Sequence, residues 1–464
     1  MSLRRKLAAA KKRDAKMQTK PLRFLACNLL LLPPLFLALQ VKIVESVLAQ
    51  APTQITTRDR EFAQLALSQV HEVLKKNYYD PTFHGVDIDD RYKKYSDQVG
   101  SANSIQSAYR VIEAYLVALN DSHTIFIPPP NSKRVAYGFR LKMIGDKCFI
   151  THVRPGSDAE QKLHPGDEVV SLDGYSLHRD ELWQLEYYLN RLPPRITTDF
   201  TLRDTSGKVR QETVKAEFQE GEALMPSSRA LSRMEMERWQ HANRSQSAEV
   251  GDVLLWKFAS FSEDQGHLSH MLGEARKHRA LVLDLRQNSG GALENLIFVL
   301  GSLFDHDVTI GTEVRRKTKK QIVAKSGGHS AFTGQLIILI DSRSASASEV
   351  VARVVQLEHR GIVVGDRSSG SVMTAQYFPQ WTGAGLGIPY GVEVSVADLV
   401  MTDGTNLEHV GVTPDEIILP SGLDLASGSD PILAHAADLA GVKIDSTSAG
   451  KLFRFEWPST EPIH

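Results

Sequence analysis

Cysteine is almost absent from this 464-residue chain, which has only Cys27 and Cys148. That excludes a disulfide scaffold or a cysteine-rich metal site and leaves hydrophobic cores to hold the fold. An excess of charge is absent too, since 54 basic side chains face 55 acidic ones. The balance conceals a split: residues 1–49 carry ten Lys/Arg against two Asp/Glu, leaving 44 basic against 53 acidic in the remainder. A mildly acidic body gives no footprint for nucleic acid, and none is expected as a partner. Lysine is missing from the whole stretch between Gln335 and Ala440. With 42% apolar residues and frequent Gly and Pro, the chain is too hydrophobic to be mostly disordered. Its length predicts two or three cores with a cleft between them.

The basic head from Arg4 to Arg23 precedes an apolar run, Phe24–Leu39, broken by Asn28 and Pro33-Pro34. Val47-Leu48-Ala49 then offers small or modest side chains to a signal peptidase. This order reads as an export signal, with an uncleaved amino-terminal anchor as the alternative. Either reading predicts a periplasmic or extracellular body, membrane-associated only through residues 1–51. Cys27 lacks a lipobox before it. Cys148 would then have no internal partner and is expected to be buried in a strand.

Helical spacing of Phe62, Leu65, Ala66, Val70, Val73 and Leu74, and a second helical stretch at Ile105–Leu119, make residues 52–133 a small helical region. Residues 134–220 alternate like β-structure at Tyr137–Met143, Cys148–Val153, Glu168–Leu172 and Thr197–Leu202, with helices at Ser157–Lys162 and Glu181–Leu192. A polar linker, 221–245, follows. From 246 to 420 unbroken apolar strands alternate with helices, which implies a sheet covered on both faces. Val392–Ala397 and Leu399–Met401 read as a hairpin or meander. The extension 421–464 has the spacing of one last helix at Asp430–Leu439.

Four places could carry chemistry. Ser344, Ser346 and Ser348 stand where a strand meets a helix, where N–H groups favour a developing oxyanion; each is equally a plausible helix cap, supported by Glu349. Asp284 to Gly291 ends a buried strand, and Gly290-Gly291 can turn a backbone N–H toward a ligand or simply make a tight turn. Ser122-His123 offers an imidazole, the natural base for a serine hydroxyl. Glu408 alone is one more acidic residue before a turn. His267-x-x-His270 has helical spacing without a third ligand, so no metal and no cofactor is expected.

The run Tyr137-Gly138-Phe139-Arg140-Leu141, the Pro155–Ala159 turn and the Leu163–Gly174 segment resemble a PDZ domain. The resemblance implies that Tyr137–Leu141 binds a chain-terminal carboxylate. The segments LVLDLRQNSGG (281–291), SASASEVVA (344–352), DSHTIF (121–126), GIVVGDRSSG (361–370) and LEHVGVTPDEIIL (407–419) resemble the tail-specific, or carboxy-terminal-processing, serine proteases. The resemblance implies an α/β (α+β) protease core with an inserted PDZ-like β-module and a small helical amino-terminal region.

It also places the nucleophile at Ser346 and the larger branch's lysine at Ser371, where no lysine is available. The lysine-free, tricorn-type branch supplies a Ser-His pair and a glutamate instead, matched here by Ser122, His123 and Glu408. By that resemblance His123 takes the proton of Ser346, Glu408 acts through the Ser122 hydroxyl, and Ala347 with Gly290 or Gly291 forms the oxyanion hole. The expected function is a serine endopeptidase acting on polypeptides, with homo-oligomerisation open. The alternative is a catalytically inactive relative that binds peptides or apolar ligands.

Overall fold

The computed structural model describes residues 55–129, 133–179, 196–220, 245–382 and 388–457. The export segment, the Glu181–Leu192 helix and nearly all of the 221–245 linker lie outside the described residues. Three helices open the described chain: α1 (Thr57–Asn77), α2 (Ile88–Gly100) and α3 (Ile105–Val117). Thr56 caps α1 and shares a reciprocal capping box with Asp59, an arrangement that typically contributes about 1 kcal/mol. Helix α2 is absent from the sequence reading because nearly half of it is charged and it buries only Ile88, Tyr95 and Val99.

Strand β1 (Ile125–Ile127) follows, then β2 (Lys133–Ala136) and the small β-module. This module comprises β3 (Phe139–Ile144), β4 (Lys147–Val153), β5 (Glu168–Leu172), β6 (Thr197–Arg203) and β7 (Val209–Lys215) in one antiparallel sheet of that order. Its core holds Leu141, Met143, Ile150, Phe200 and the buried Cys148. The expected helix at Ser157–Lys162 is only a 3-10 turn, Asp158–Gln161. Strand β8 (Glu217–Glu220) pairs with β2 and returns the chain.

The main sheet is built from β9 (Gln246–Val250), β10 (Val253–Lys257), helix α4 (Gln265–Ala275), β11 (Ala280–Asp284) and helix α5 (Leu293–Leu303). After a second hairpin, β12 (Val308–Arg315) with β13 (Lys319–Ala324), come β14 (Gln335–Ile340), helix α6 (Ala347–Leu357) and β15 (Ile362–Gly365). Strands β10, β11, β14 and β15 are parallel neighbours. Their residues alternate between two buried clusters: Leu281, Leu283 and Ile338 face the α4–α6 side, whereas Val282, Ile337 and Leu339 face the carboxy-terminal helices. Burial on both faces is why these strands read as continuous apolar runs.

Two long strands, β16 (Met373–Thr382) and β17 (Ile388–Met401), pair with each other, and β17 also pairs with β1 and β12. The two short strands expected around Asp398 are therefore one. Its polar interruption is accommodated because Asp398 accepts from Asn406 Nδ2 at 2.7 Å. Tyr390, Val392 and Val394 of β17 enter the core of α1–α3, which seats the helical region on the protease sheet. After β18 (Glu416–Ile417) come α7 (Gly422–Ser427), α8 (Pro431–Leu439) and α9 (Ser446–Leu452). The last region thus has three helices rather than one, because the short α7 and α9 carry too few apolar residues to show a period.

Candidate active site

Strand β14 delivers the turn that carries Ser344, Ser346 and Ser348. Asp341 ends it and is wholly buried, held near 2 because the Lys142 ammonium at 2.6 Å and the N–H groups of Gln287 and Arg343 outweigh the cost of burial. The Ser344 hydroxyl donates to the Leu285 carbonyl at 2.8 Å, and the Ser348 hydroxyl to the Asn288 carbonyl at 2.8 Å. Both are buried structural ties. Ser346 alone of the three is half-buried, and its backbone stands at φ 55°, ψ −119°. A non-glycine residue pays for that conformation, so the surroundings must hold it.

They do so through Glu349, buried in the first turn of α6. Its carboxylate accepts from the Ser346 N–H at 3.0 Å, the Gly370 N–H at 2.7 Å, the Ser371 N–H at 2.9 Å and the Ser368 hydroxyl at 2.6 Å. Burial nevertheless pushes its pKa up to about 7, against the lowering effect of those four donors. The Ser346 N–H also donates to the Ser371 carbonyl at 2.8 Å, so Ser371 fixes the main chain of Ser346.

Gly290 lies against this turn. A Cβ there would come within 2.6 Å of Ser346 Cβ and 3.1 Å of the Ala347 nitrogen, and φ is +96°. Only glycine fits so close an approach. Gly291 instead faces the backbone of Phe261 and Ser262. The Gly290 N–H donates to Asn288 Oδ1 at 2.9 Å, while Ala347 begins α6, where an N–H has no carbonyl of its own helix to meet.

Ser122 and His123 sit in the loop between α3 and β1. Asp121 is buried and accepts from the N–H of His123 at 2.8 Å, the Thr124 hydroxyl at 3.0 Å and the Ser395 hydroxyl at 2.7 Å. This fixes the loop to β17. The Ser122 hydroxyl is 2.7 Å from His123 Nδ1. Glu408 Oε1 accepts from the main-chain N–H of Ser122 at 2.9 Å, and Oε2 from that of Val372 at 2.7 Å. The glutamate thus meets Ser122 through its backbone, whereas the sequence reading routed the contact through the hydroxyl. Both carboxylate oxygens are engaged by rigid main chain, and the hydroxyl is turned to the imidazole. Glu408 joins the two halves, because Val372 directly follows Ser371, whose carbonyl holds Ser346.

A cleft of about 260 Å³ adjoins Glu408, lined by Tyr79, His84, Asn120, Asp121, Met373, Asn406 and His409. Among the described residues no group of three His, Cys, Asp or Glu is arranged to hold a metal ion. The sequence reading missed Glu349 as more than a helix support. Its position three residues after Ser346 was the available signal, but its links to 368–371 depend on the tertiary fold.

In the β-module, Tyr137–Leu141 leads into edge strand β3, with Gly138 at φ +73° packed against Ser157. The carbonyls of Leu141 and Met143 accept from Arg343 Nη2 at 2.7 Å and the Ser342 hydroxyl at 2.6 Å. The turn after β14 is therefore tied directly to the module.

The segments that carry these residues match known protein families. Residues 250–418 match the family described as peptidase family S41, residues 59–116 the tricorn protease C1 domain, and residues 125–180 the PDZ domain. The chain is a serine-type peptidase bearing a PDZ domain. Within that class, residues 250–418 carry the family S41 peptidase domain, and the chain is similar to carboxyl-terminal-processing and tail-specific proteases.

It is 24% identical over 404 residues to a carboxyl-terminal-processing protease of Synechocystis, covering 83% of this chain and 89% of that one. It is likewise 24% identical over 382 residues to the chloroplastic carboxyl-terminal-processing peptidase 3 of Arabidopsis thaliana, covering 77% and 69%. The fold is similar to that of mature CPAF, with a TM-score of 0.60 at 14% identity over 80% of this chain and 95% of that one.

Proposed function

We propose that this peptidase hydrolyses polypeptides through an acyl-enzyme on Ser346, with His123 as the base. The observation that carries this reading is the bonded path from Ser346 through Ser371-Val372 to Glu408 and on to Ser122-His123. For His123 Nε2 to accept the Ser346 proton, Nδ1 must carry a hydrogen and donate it to Ser122 Oγ. Ser122 therefore fixes the tautomer. Glu408 fixes Ser122 through its main chain and adds negative charge where the imidazolium forms.

The serine oxygen attacks the scissile carbonyl and the proton passes to His123, which returns it to the leaving amine. Water then attacks the ester and releases the acyl product. The Ala347 N–H faces the developing oxyanion. A second donor from Gly290-Gly291 requires Gly290 to exchange Asn288 for substrate, or Gly291 to serve in its place.

The loop Tyr137–Leu141 receives the substrate's free carboxy terminus, which fits the processing activity named for the relatives. The proposal extends to an exported enzyme, with the leading segment removed or kept as an anchor, and to self-association. Cell fractionation and sedimentation of the purified protein test those two points.

A fluorophosphonate probe tests the chemistry. Acylation is expected in the native protein and absent in Ser346→Ala. In His123→Ala it should fall by at least roughly 10³-fold. Full-rate acylation in His123→Ala would overturn the assignment of the base. Tight ligand binding without acylation of the native protein would favour an inactive relative.

A further inference from the structure

Beyond α9 the chain runs outside helix and strand to Trp457 with a two-residue alternation of exposure: Arg454 and Glu456 are exposed, Phe455 and Trp457 half-buried. That period puts both aromatic rings on one face. Leu452 and Phe453 still pack on the cluster behind the main sheet. The next two aromatics leave it for the PDZ module. Phe455 lies 4.3 Å from the His152 ring, centroid to centroid, and meets Trp457 edge-on at 5.2 Å. The Arg140 guanidinium sits over Phe455 at 4.6 Å and over Trp457 at 5.7 Å. The Trp457 indole N–H donates to the Val153 carbonyl at 3.1 Å.

Arg140 and His152 are cross-strand partners on β3 and β4, so the receiving surface belongs to the sheet. Burial, reinforced by Arg140, Lys257, Lys142 and Arg343, brings His152 down to about 3. It therefore meets Phe455 as a neutral ring, while Arg140 presents the cation that aromatic faces attract.

We propose that the Arg140–His152 face of the PDZ module is a docking surface for an extended aromatic-x-aromatic peptide segment, occupied in cis by Phe455-Glu456-Trp457. The contacts define the ligand: two rings on alternate residues share one cation, and an indole N–H meets a strand-end carbonyl. Half-burial of both rings marks the segment as laid on a surface rather than built into a core. Its tether is short, since Leu452 is only three residues before Phe455. A short tether gives an effective concentration of order millimolar, enough to exclude a weak peptide in trans. The surface opens to another polypeptide only when the tail is displaced. Arg140 also belongs to Tyr137–Leu141, but its contacts with Phe455 and Trp457 do not depend on that loop's receiving substrate.

The test uses the full-length protein and a labelled peptide of residues 451–457, read by fluorescence anisotropy. The variant Phe455→Ala/Trp457→Ala is expected to bind the peptide roughly tenfold tighter than the native chain, because its own tail no longer competes. Adding Arg140→Ala should remove that gain. Equal binding by native protein and double variant, or a gain that survives Arg140→Ala, overturns the proposal. Suppression that strengthens with protein concentration would place the tail on a second copy and overturn occupancy in cis. The milder Trp457→Phe, which keeps a ring and deletes the indole donor, guards against misfolding. It should show a smaller gain, and no gain would count against the surface.

Discussion

The two halves of the proposed active site, the nucleophile half around Ser346 and the base half around His123, are built on opposite plans. Ser346 is held by its own neighbourhood: a strand end, a helix start, Glu349 three residues on and Gly290 pressed against it. His123 sits in a loop fixed by side chains from far along the chain, Ser395 on Asp121 and Glu408 on Ser122. The nucleophile half carries backbone strain and a buried carboxyl. The base half carries hydrogen bonds that span more than 270 residues. Strain is placed where local packing is dense enough to support it, and alignment is left to long-range contacts.

The largest effect should come from breaking the nucleophile half. Gly290→Ala would drive a Cβ into Ser346 and strain a positive φ, lowering probe acylation by at least roughly 10²-fold and stability by about 1–3 kcal/mol. Acylation rate and urea unfolding measure the two effects; a near-native enzyme would show that the turn is not held so tightly.

Glu408→Gln probes the base half. The amide keeps one acceptor, turns its NH2 toward the second N–H group and loses the charge, so kcat should fall by roughly 10–10²-fold and stability by about 1–3 kcal/mol, with little change in KM. A loss confined to KM would mean that Glu408 serves binding instead.

The last prediction distinguishes the halves by pH. Glu349 binds its proton more tightly folded than unfolded, since its pKa rises from 4.5 to about 7. Its contribution to stability is therefore full below about pH 4.5 and is lost as pH rises through about 7, a change on the order of 3 kcal/mol. Glu349→Gln should remove that part of the slope, so the variant gains relative to the native protein between pH 5 and 8. Parallel pH profiles in urea unfolding would refute it.

Legibility followed burial. Strands β11 and β14, covered on both faces, stand out as apolar runs. Strands β12, β13 and β16 do not, because charged and polar residues such as Glu313, Lys319, Lys320 and Gln376 interrupt them. The nucleophile turn was readable as three serines and a glutamate, but not which serine turns outward. Ser344 and Ser348 proved to be internal ties to Leu285 and Asn288, contacts that sequence spacing does not encode.

The sequence by itself determined the resemblance to serine peptidases, the parallel sheet and the absence of a lysine after Ser346, because motif order and composition are properties of the chain. Only the tertiary structure decided that Glu408 grips Ser122 by its backbone, that Glu349 binds Ser346 to Ser371, and that the tail lies on Arg140. Each of those contacts joins residues whose separation along the chain says nothing about their distance in space, which packing alone sets.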